Sequence, residues 1–411
     1  MKILWFSITP SLYNAFSNGH NGGGWIASLE QIVRQAPEVE LGIAFHFASD
    51  KFKNEQQGVT YYPMPQVEES KIDKLFHPDA IDARKLDLYR KVVDDFRPDI
   101  VQIFGSENDF GLLCGSIGVP IVIHMQGCIP PCYNAVFPID MNIYDFFFTS
   151  GLTMRNRYIG LRTKAAFKRN AEREIRAIQS CQYFMGRTAW DRSLIDLFNP
   201  SSQYFHCNEA LRDSFLRGDK QWSYSASPHK TIVSVISTPW YKGLDLILKT
   251  AQLLKRFTSL DFEWQVYGVR DIRFFENKYK IKAADVNVKI MGPVGKDVLV
   301  DALCSASCYV HSSYIDNSPN SLCEAQIIGV PVIATHVGGI STLVDDRHTG
   351  LLFPANAPYD LASMIKQIVH DEQLSTTLSL AERQEALRRH NPDAIRSTLI
   401  DIYRSIIAQQ K

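Results

Sequence analysis

The chain has 411 residues, of which 45% are hydrophobic and 21% are charged, and its 44 basic residues are balanced by 44 acidic ones. This length predicts about two domains with large cores, and the composition is ordinary for a globular protein. A formal net charge of zero argues against nucleic acid as a main partner, because holding a phosphate backbone takes a clear basic excess.

The cysteines and the apolar runs give expectations about metal and compartment. Cys128 with Cys132 and Cys304 with Cys308 are the close pairs among eight cysteines, and neither pair has the Cys or His partners of a zinc site. We therefore expect structural thiols and no metal. The start of the chain is too short an apolar run for a signal peptide, and no run reaches the roughly 18 apolar residues of a membrane span. We expect a reduced cytoplasmic protein.

Short apolar runs alternate with helical patterns, which predicts an α/β fold with parallel sheets. The first half has strand-like runs at 2–8, 41–47, 100–103, 121–124 and 183–185, and helical stretches at 25–34 and 83–96. The second half has strand-like runs at 231–236, 262–267, 286–291, 308–311, 332–334 and 351–353, and helical stretches at 243–256, 358–370, 372–389 and 394–409. We interpret the polar stretch 213–230 between the halves as a linker, and Asn391 or Asp393 as the cap of the last helix.

A glycine-rich loop that includes Gly22, Gly23 and Gly24 follows the first strand. Ligands of doubly wound domains lie at the carboxyl ends of strands, so this loop is a candidate binding element. Its spacing is not Gly-x-Gly-x-x-Gly and gives little support to dinucleotide binding. A flexible surface loop is the alternative interpretation.

The stretch 318–329 predicts a short helix with both ends marked. Ser318 suits the N-cap, Pro319 the first helical position, and Gly329 the left-handed residue after the last turn. The free amides of the first turn, at Asn320 and Ser321, would then attract an anion.

Two carboxylates bracket this predicted anion site. Glu324 lies one helical turn beyond Ser321 on the same face, and Asp316 lies just before the cap. The arrangement suits a sugar–diphosphate–nucleoside, with Glu324 on the ribose hydroxyls and Asp316 on hydroxyls of the transferred sugar. A surface helix with two solvated acids is the alternative.

The block from His311 to Pro354 resembles the donor site of the family 4 glycosyltransferases. Its matching motifs are Asp316-x7-Glu324, Gly329-Val-Pro-Val-Ile-Ala-Thr, Val337-Gly-Gly and His348-Thr-Gly-Leu-Leu-Phe-Pro. The resemblance implies a GT-B fold with two Rossmann-like domains facing a cleft: 1–212 on the acceptor side and 213–390 on the donor side, with 391–411 crossing back to the first. It also implies retaining sugar transfer from a UDP- or GDP-linked donor to an acceptor hydroxyl, without a cofactor or metal.

The chain departs from the family pattern in three places. The family usually has Glu-x7-Glu, and Asp316 takes the place of the first acid. Gln126 stands where a histidine is expected, so it can hydrogen-bond the donor sugar but cannot act as an acid or base. Ser237 stands where the family's Arg-x4-Lys-Gly motif has its arginine, whereas Lys242 keeps the lysine that would bind the diphosphate.

Three further residues are candidates to replace what these departures remove. Arg270 and Arg187 are the candidates for the missing cation. His124 lies two residues before Gln126 on the same strand face, so it is a candidate on the acceptor side, as is Arg187 at the edge of the cleft. A histidine of the core is the alternative for His124.

The segment from Arg155 to Arg176 holds eight basic residues against two acids, and the aromatic residues Tyr144, Phe146, Phe147 and Phe148 precede it. Such a segment can dock peripherally on the anionic inner face of a membrane, or it can bind an acidic acceptor. A solvated helix is the alternative. A lipid-linked sugar as acceptor would suit the membrane interpretation.

These observations favour a glycosyltransferase that acts in cell-surface polysaccharide or glycolipid assembly on a glycan or lipid-linked acceptor. Two alternatives stay open at this point. One is a non-catalytic protein that binds sugar nucleotides or glycans, and the other is a phosphorylase or epimerase of the same fold. The sequence does not identify the sugar, the base or the acceptor.

Overall fold

A computed structural model describes residues 1–13, 24–49, 51–67, 78–135, 139–142, 144–145, 154–216, 218 and 220–410, with backbone alone for 78–80 and 154–166. The chain forms two compact units. Unit 1 comprises Met1–Ile129, Lys168–Ala210 and His390–Lys411, and unit 2 comprises Pro130–Phe167 and Leu211–Arg389. Residues 130–167 therefore group with unit 2, although the division made from the sequence placed them in the first domain. The domain bounds expected from the sequence stay a prediction.

Unit 1 is built on an eight-stranded sheet in the order β3-β4-β2-β1-β5-β6-β7-β8. Its strands are β1 Lys2–Ser7, β2 Glu40–His46, β3 Asn54–Gln56, β4 Val59–Met64, β5 Ile100–Phe104, β6 Ile121–His124, β7 Tyr183–Gly186 and β8 Gln203–His206. All pairs are parallel except β3 with β4. The central strands are buried on both faces, which is why they appear in the sequence as continuous apolar runs.

Unit 2 is built on a six-stranded parallel sheet in the order β11-β10-β9-β12-β13-β14. Its strands are β9 Lys230–Val235, β10 Phe262–Tyr267, β11 Val288–Gly292, β12 Cys308–His311, β13 Val332–Thr335 and β14 Leu351–Phe353. Counted from β9, the order is that of a Rossmann sheet, and it reverses between β9 and β12. The predicted α/β class with parallel sheets is confirmed in both units.

Helices cover the faces of the sheets. They are α1 Gly24–Val33, α2 Pro78–Phe96, α3 Ile129–Asn134, α4 Met154–Ser180, α5 Ala189–Phe198, α6 Asp213–Leu216, α7 Leu244–Phe257, α8 Arg273–Tyr279, α9 Lys296–Ser305, α10 Asn320–Ile328, α11 Ile340–Leu343, α12 Pro358–His370, α13 Glu372–Arg389 and α14 Pro392–Ala408. Short 3-10 helices lie at Asp109–Leu113 and Ala284–Val286. The backbone of helix α4 contains the whole basic segment.

The last helix belongs to unit 1. The side chain of Asn391 caps α14 by accepting from the amide of Ala394 at 3.0 Å, as predicted. Tyr403 is fully buried, and its hydroxyl accepts from the indole of Trp5 on β1 at 3.0 Å. The hydrophobic core of unit 1 thus joins the first strand to the last helix.

The predicted linker 213–230 is more ordered than its polar composition indicated. It begins with helix α6, and Trp222 is buried in the core of unit 2, where its indole donates to the carbonyl of Ala306 at 2.7 Å. Trp222 is an isolated apolar residue in a polar stretch, and it is anchored by packing in the core of unit 2. The composition of the stretch does not reveal this packing. The sequence reading also missed β3, β4 and β8, which lie at or near the edges of the first sheet.

Candidate functional site

The candidate site in unit 2 lies at the carboxyl ends of β9 and β12, where the strand order reverses. Open α/β sheets bind ligands at this point, because the loops after the two strands diverge and leave a crevice. Lys242 and Gly243 follow β9, and the loop from His311 to Asp316 follows β12. The structure therefore brings together the Lys-Gly and Asp-x7-Glu motifs, which are far apart in sequence.

The Lys-Gly turn packs directly on the loop after β12. Gly243 has a left-handed φ of 74°, and a Cβ there would clash with the carbonyl oxygen of Ser312. The hydroxyl of Ser312 in turn donates to the carbonyl of Lys242 at 2.8 Å. The close approach explains why the lysine is followed by glycine, and it fixes where the lysine side chain begins.

Asp316 is the centre of a polar cluster. Its Oδ2 accepts from the ammonium of Lys242, from Nε2 of His311 at 3.0 Å and from the hydroxyl of Ser313 at 3.2 Å. Burial opposes its ionisation, but Lys242 and His311 outweigh burial and hold the pKa of the Asp316 carboxyl well below its usual range. Burial likewise opposes the charge on Lys242, yet Asp316 raises the pKa of this ammonium. Both groups are therefore charged at neutral pH.

The backbone at Asp316 is also fixed. Its carbonyl accepts from the amide of Gly339 at 3.0 Å. Gly338 has a left-handed φ of 52°, and a Cβ there would clash with the same carbonyl oxygen. The motif Val337-Gly-Gly is thus explained by the close approach of its backbone to the candidate sugar-binding acid.

Helix α10 begins one residue later than the sequence predicted. Pro319 is the N-cap, with extended backbone and no side-chain cap bond, so Ser318 is not the cap and Pro319 is not in the first turn. The expected anion-binding amides of Asn320 and Ser321 still lie in the first turn. Gly329 ends the helix at a left-handed φ of 83°, as predicted. Tyr309 donates to the hydroxyl of Ser321 at 2.9 Å, which ties the helix start to β12.

Glu324 is buried and paired with an arginine that the sequence reading missed. Arg212 donates to Glu324 Oε1 from Nη2 at 2.7 Å and from Nε at 2.8 Å. The Glu324 side chain is 3% exposed, and Asp316 is 14% exposed. The alternative of a surface helix with two solvated acids is therefore wrong. Arg212 was visible in the sequence as the last residue of an Asn-Glu-Ala-Leu-Arg run, but its partner lies 112 residues away.

The candidates for the missing cation occupy different environments. Ser237 and Arg270 are both exposed, after the adjacent parallel strands β9 and β10, so they lie at the same sheet edge as Lys242. Arg187 lies in unit 1, where its side chain is 5% exposed and ion-paired with the fully buried Glu209. Arg270 is thus an exposed guanidinium at the carboxyl edge of the unit 2 sheet, and its side chain lies near Gly292 at the end of β11.

The acceptor-side candidates of unit 1 lie at the carboxyl end of β6. His124 is fully buried, with its ring 5.0 Å from that of Trp25 and 5.9 Å from that of Phe104. Burial lowers the pKa of His124 well below its usual range, so the imidazole is neutral. Gln126 is half-buried, and its backbone carbonyl accepts from the guanidinium of Arg187 at 3.4 Å. These surroundings match the core interpretation of His124, and its acceptor-side role stays a prediction.

Two further predictions concern segments that the structure describes only in part. Gly22 and Gly23 lie outside the described residues, whereas Gly24 starts α1 with a left-handed φ of 63°. Phe146, Phe147 and Phe148 also lie outside them. Among the side chains described on α4, Lys168, Arg169 and Arg176 are exposed. In the described part of the chain, no helix is both long and apolar enough to cross a bilayer.

Unit 1 also holds a group of buried carboxylates that the sequence reading did not single out. Glu174 on α4 accepts from the hydroxyl of Ser106 at 2.5 Å and from the amide of Ile129 at 2.7 Å. Burial raises the pKa of Glu174 to about 7. Burial also raises the pKa of Glu107, which follows β5. Glu107 lies shortly after β5, and this position was its signal in the sequence, because carboxyl ends of strands carry functional residues. Glu174 lies on α4 and had no such signal.

Solved structures on which the chain superposes include glycosyltransferases. The model superposes on sucrose-phosphate synthase from Thermosynechococcus elongatus with a TM-score of 0.70 and 14% identity, over 99% of both chains. It superposes on Anabaena HepE in complex with UDP and glucose with a TM-score of 0.63 and 13% identity, over 98% of this chain and 100% of the other. WaaG, a glycosyltransferase involved in lipopolysaccharide biosynthesis, gives 0.63 and 14%, over 98% and 99%. The fold is therefore GT-B, with two Rossmann-like units, as predicted.

The second half also matches glycosyltransferases in sequence. Residues 229–371 match the family model for glycosyl transferases group 1. The D-inositol 3-phosphate glycosyltransferase of Streptomyces coelicolor is 31% identical over 128 residues, which are 31% of this chain and 28% of that protein. An uncharacterized glycosyltransferase of Methanocaldococcus jannaschii is 26% identical over 137 residues, which are 33% and 37%. The chain thus spans about a third of the length of these two relatives. The residues matched by the family model include Lys242, Asp316 and Glu324.

Proposed function

We propose that the protein is a retaining glycosyltransferase that moves a sugar from a UDP- or GDP-linked donor to an acceptor hydroxyl. The observation that carries the proposal is the ion-paired cluster of Lys242 and Asp316 at the switch point of unit 2, inside the segment that matches glycosyl transferases group 1. UDP and UDP-glucose are bound in solved structures of HepE, which shares the fold, and this supports a nucleotide-sugar donor.

Each residue at the unit 2 site then has a chemical role. Glu324, held by Arg212, would accept from the ribose hydroxyls, and the amides of Asn320 and Ser321 would face the diphosphate. Lys242 would stabilise the charge that develops on the leaving diphosphate, with Arg270 as a second cation. Asp316 would hold hydroxyls of the transferred sugar.

The remaining roles belong to unit 1 and to the acceptor. We propose that Gln126 hydrogen-bonds the donor sugar and that His124 and Arg187 serve the acceptor side, together with the loop of Gly22, Gly23 and Gly24. The leaving phosphate itself would take the acceptor's proton, as the family resemblance implies, so no metal or other cofactor is needed. The acceptor would be a glycan or a lipid-linked sugar in cell-surface polysaccharide or glycolipid assembly, reached from the cytoplasm.

A thermal-shift screen of nucleotide sugars tests the donor class first. A ligand at 100 times its dissociation constant stabilises the folded protein by about 2.7 kcal/mol, which is readily measured. We expect UDP- or GDP-linked sugars to raise the unfolding midpoint and the corresponding free sugars to leave it unchanged. Release of the nucleoside diphosphate from the selected donor then tests catalysis, and the anomeric configuration of the product, read by NMR, tests retention.

A non-catalytic binding protein is the second candidate. The observations that favour it are the glutamine at position 126 and the exposed serine at position 237, where the family has a histidine and an arginine. Stabilisation by a nucleotide sugar without any release of nucleoside diphosphate, with or without added acceptors, would support this candidate over the enzyme.

A further inference from the structure

The carboxylate of Asp316 is held by several groups of unit 2. Three side chains donate to the same oxygen, Oδ2: Lys242, His311 and Ser313. The other oxygen, Oδ1, accepts from the amide of Asn317 at 3.2 Å. Four donors of unit 2 thus hold this carboxylate, and they differ in their freedom to move when a nucleotide sugar binds.

His311 is the donor with the least freedom to move. It is the last residue of β12, it pairs in register with Ala334 of β13, and it is 2% exposed. Burial lowers the pKa of its imidazole, so the ring is neutral, and its Nε2 must carry the proton because the partner is a carboxylate. The hydrogen bond to Asp316 therefore depends on sheet geometry and not on a charge that a ligand could attract.

Lys242 is the donor that can leave. Its ammonium is carried on a flexible four-carbon stem from the turn after β9, and its side chain is 15% exposed. An incoming diphosphate carries more negative charge than the single carboxylate of Asp316. The ammonium is therefore drawn toward the diphosphate, and Asp316 loses its counterion at the moment when it must hold the sugar.

We propose that His311 is a positioning residue that keeps Asp316 in place while Lys242 exchanges its ion pair for the diphosphate of the donor. This proposal rests on the proposed function and assigns separate roles to the groups around Asp316. Lys242 moves between two anions, and His311 and Ser313 hold the acid that contacts the sugar.

The test compares His311→Leu with His311→Gln. Leucine removes the donor to Asp316, whereas glutamine can place an amide N–H near the position of Nε2. Ser313→Ala serves as the graded comparison, because it removes the longer hydrogen bond to the same oxygen. Three quantities are measured for each variant: the affinity for UDP by calorimetry, the affinity for the nucleotide sugar selected by the thermal-shift screen, and kcat and KM for release of its nucleoside diphosphate.

For His311→Leu we expect UDP affinity within about twofold of the natural protein, and a kcat reduced about tenfold or more, since a hydrogen bond to a charged group is lost. His311→Gln should restore kcat to within about threefold, and Ser313→Ala should fall between the natural protein and His311→Leu. If His311→Leu does not fold, His311→Gln decides, because a positioning role requires it to retain turnover.

Several outcomes would overturn the inference. They are unchanged kcat in His311→Leu, a parallel loss of UDP affinity and kcat, or a His311→Gln variant as inactive as His311→Leu. If the natural protein binds nucleotide sugars but does not turn them over, the enzymatic proposal fails while the positioning role survives, provided that His311→Leu loses affinity for the nucleotide sugar and keeps it for UDP. If no nucleotide binds, both fail.

Discussion

The carboxyl edges of the two sheets differ in how their charged side chains are paired. In unit 2 the charges at this edge form one-to-one pairs, Lys242 with Asp316 and Arg212 with Glu324. In unit 1 one buried arginine, Arg187, interacts with three carboxylates, Glu107, Asp191 and Glu209, and a fourth, Glu174, lies near Glu107. Burial raises the pKa of three of these acids, Glu107, Glu174 and Asp191.

The difference indicates that the two edges respond to different stimuli. Lys242 and Asp316 of unit 2 stay charged around neutral pH, so this pair is expected to respond to an added anion and not to protons. In unit 1 burial raises the pKa of Glu174 to about 7, so this acid holds a proton that is lost near neutral pH. The predictions below test that division.

The largest effect is expected for Lys242→Ala. Removing one partner of a buried pair typically costs about 3–5 kcal/mol, because it leaves the other charge buried and uncompensated. We expect lower stability, strongly reduced turnover, and a greater loss of affinity for UDP than for UMP, measured by calorimetry. The matched control is Asp316→Asn, which should lower turnover while UDP still binds. Equal losses for UDP and UMP would make Lys242 a structural lysine.

The next effect concerns the pH dependence of unit 1. The pKa of Glu174 is raised from its usual 4.5 to about 7, so the folded state favours the protonated form. The stability that follows is complete below pH about 4.5 and is lost as the pH rises toward about 7, a change of about 3 kcal/mol. Glu174→Gln should remove this loss and flatten the unfolding midpoint between pH 5 and 8. An equally steep profile in the variant would contradict the prediction.

A smaller effect is expected at Glu324. Glu324→Ala removes a charged hydrogen bond to the nucleotide and should weaken UDP binding by about 1.5–3 kcal/mol. Arg212→Met separates the acid from its partner, and because Arg212 holds Glu324 at two nitrogens, it should weaken UDP binding in the same direction. The affinity of both variants for UDP is measured by calorimetry. Unchanged affinity in Glu324→Ala would remove Glu324 from the nucleotide site.

The smallest and most salt-sensitive effect is expected on helix α4. Basic residues near an anionic membrane contribute about 1 kcal/mol each, and the segment has eight against two acids. Neutralising the exposed Lys168, Arg169 and Arg176 with glutamine should weaken co-sedimentation with anionic vesicles at low salt. Lys255 and Arg256, exposed at the end of α7, provide the control substitutions. Without any preference for anionic over neutral vesicles, the membrane interpretation falls.

The sequence predicted the sheets well because parallel strands buried on both faces appear as continuous apolar runs. The family resemblance also predicted that Lys242 and Asp316 would serve one donor site, and the two residues form an ion pair in the structure. The sequence did not predict the pairing of Arg212 with Glu324, because the two residues are 112 positions apart and nothing local marks either as a partner. His311 was seen only as the end of an apolar strand, although its Nε2 contacts the acid five residues later.

Two further features could not be predicted from the sequence: the exact start of helix α10 and the contacts of the buried Glu174. The Ser-Pro pair at 318–319 fits two registers of the helix start, and the structure has the later one, with Pro319 as the N-cap. Ser106 and Glu174 are separated by 68 residues, so their hydrogen bond depends on how α4 packs against the strand ends. Sequence spacing contains no information about such a contact.

The membership of α14 in unit 1 has a consequence for the order in which the chain folds during synthesis. Domains generally fold as they emerge from the ribosome, from the N-terminus onward. Here Trp5 can form its hydrogen bond only after Tyr403, 398 residues later, has been synthesised. Every residue of unit 2 has emerged from the ribosome shortly after Arg389 is added. The half of the protein that is translated first is therefore the half that can complete its core last.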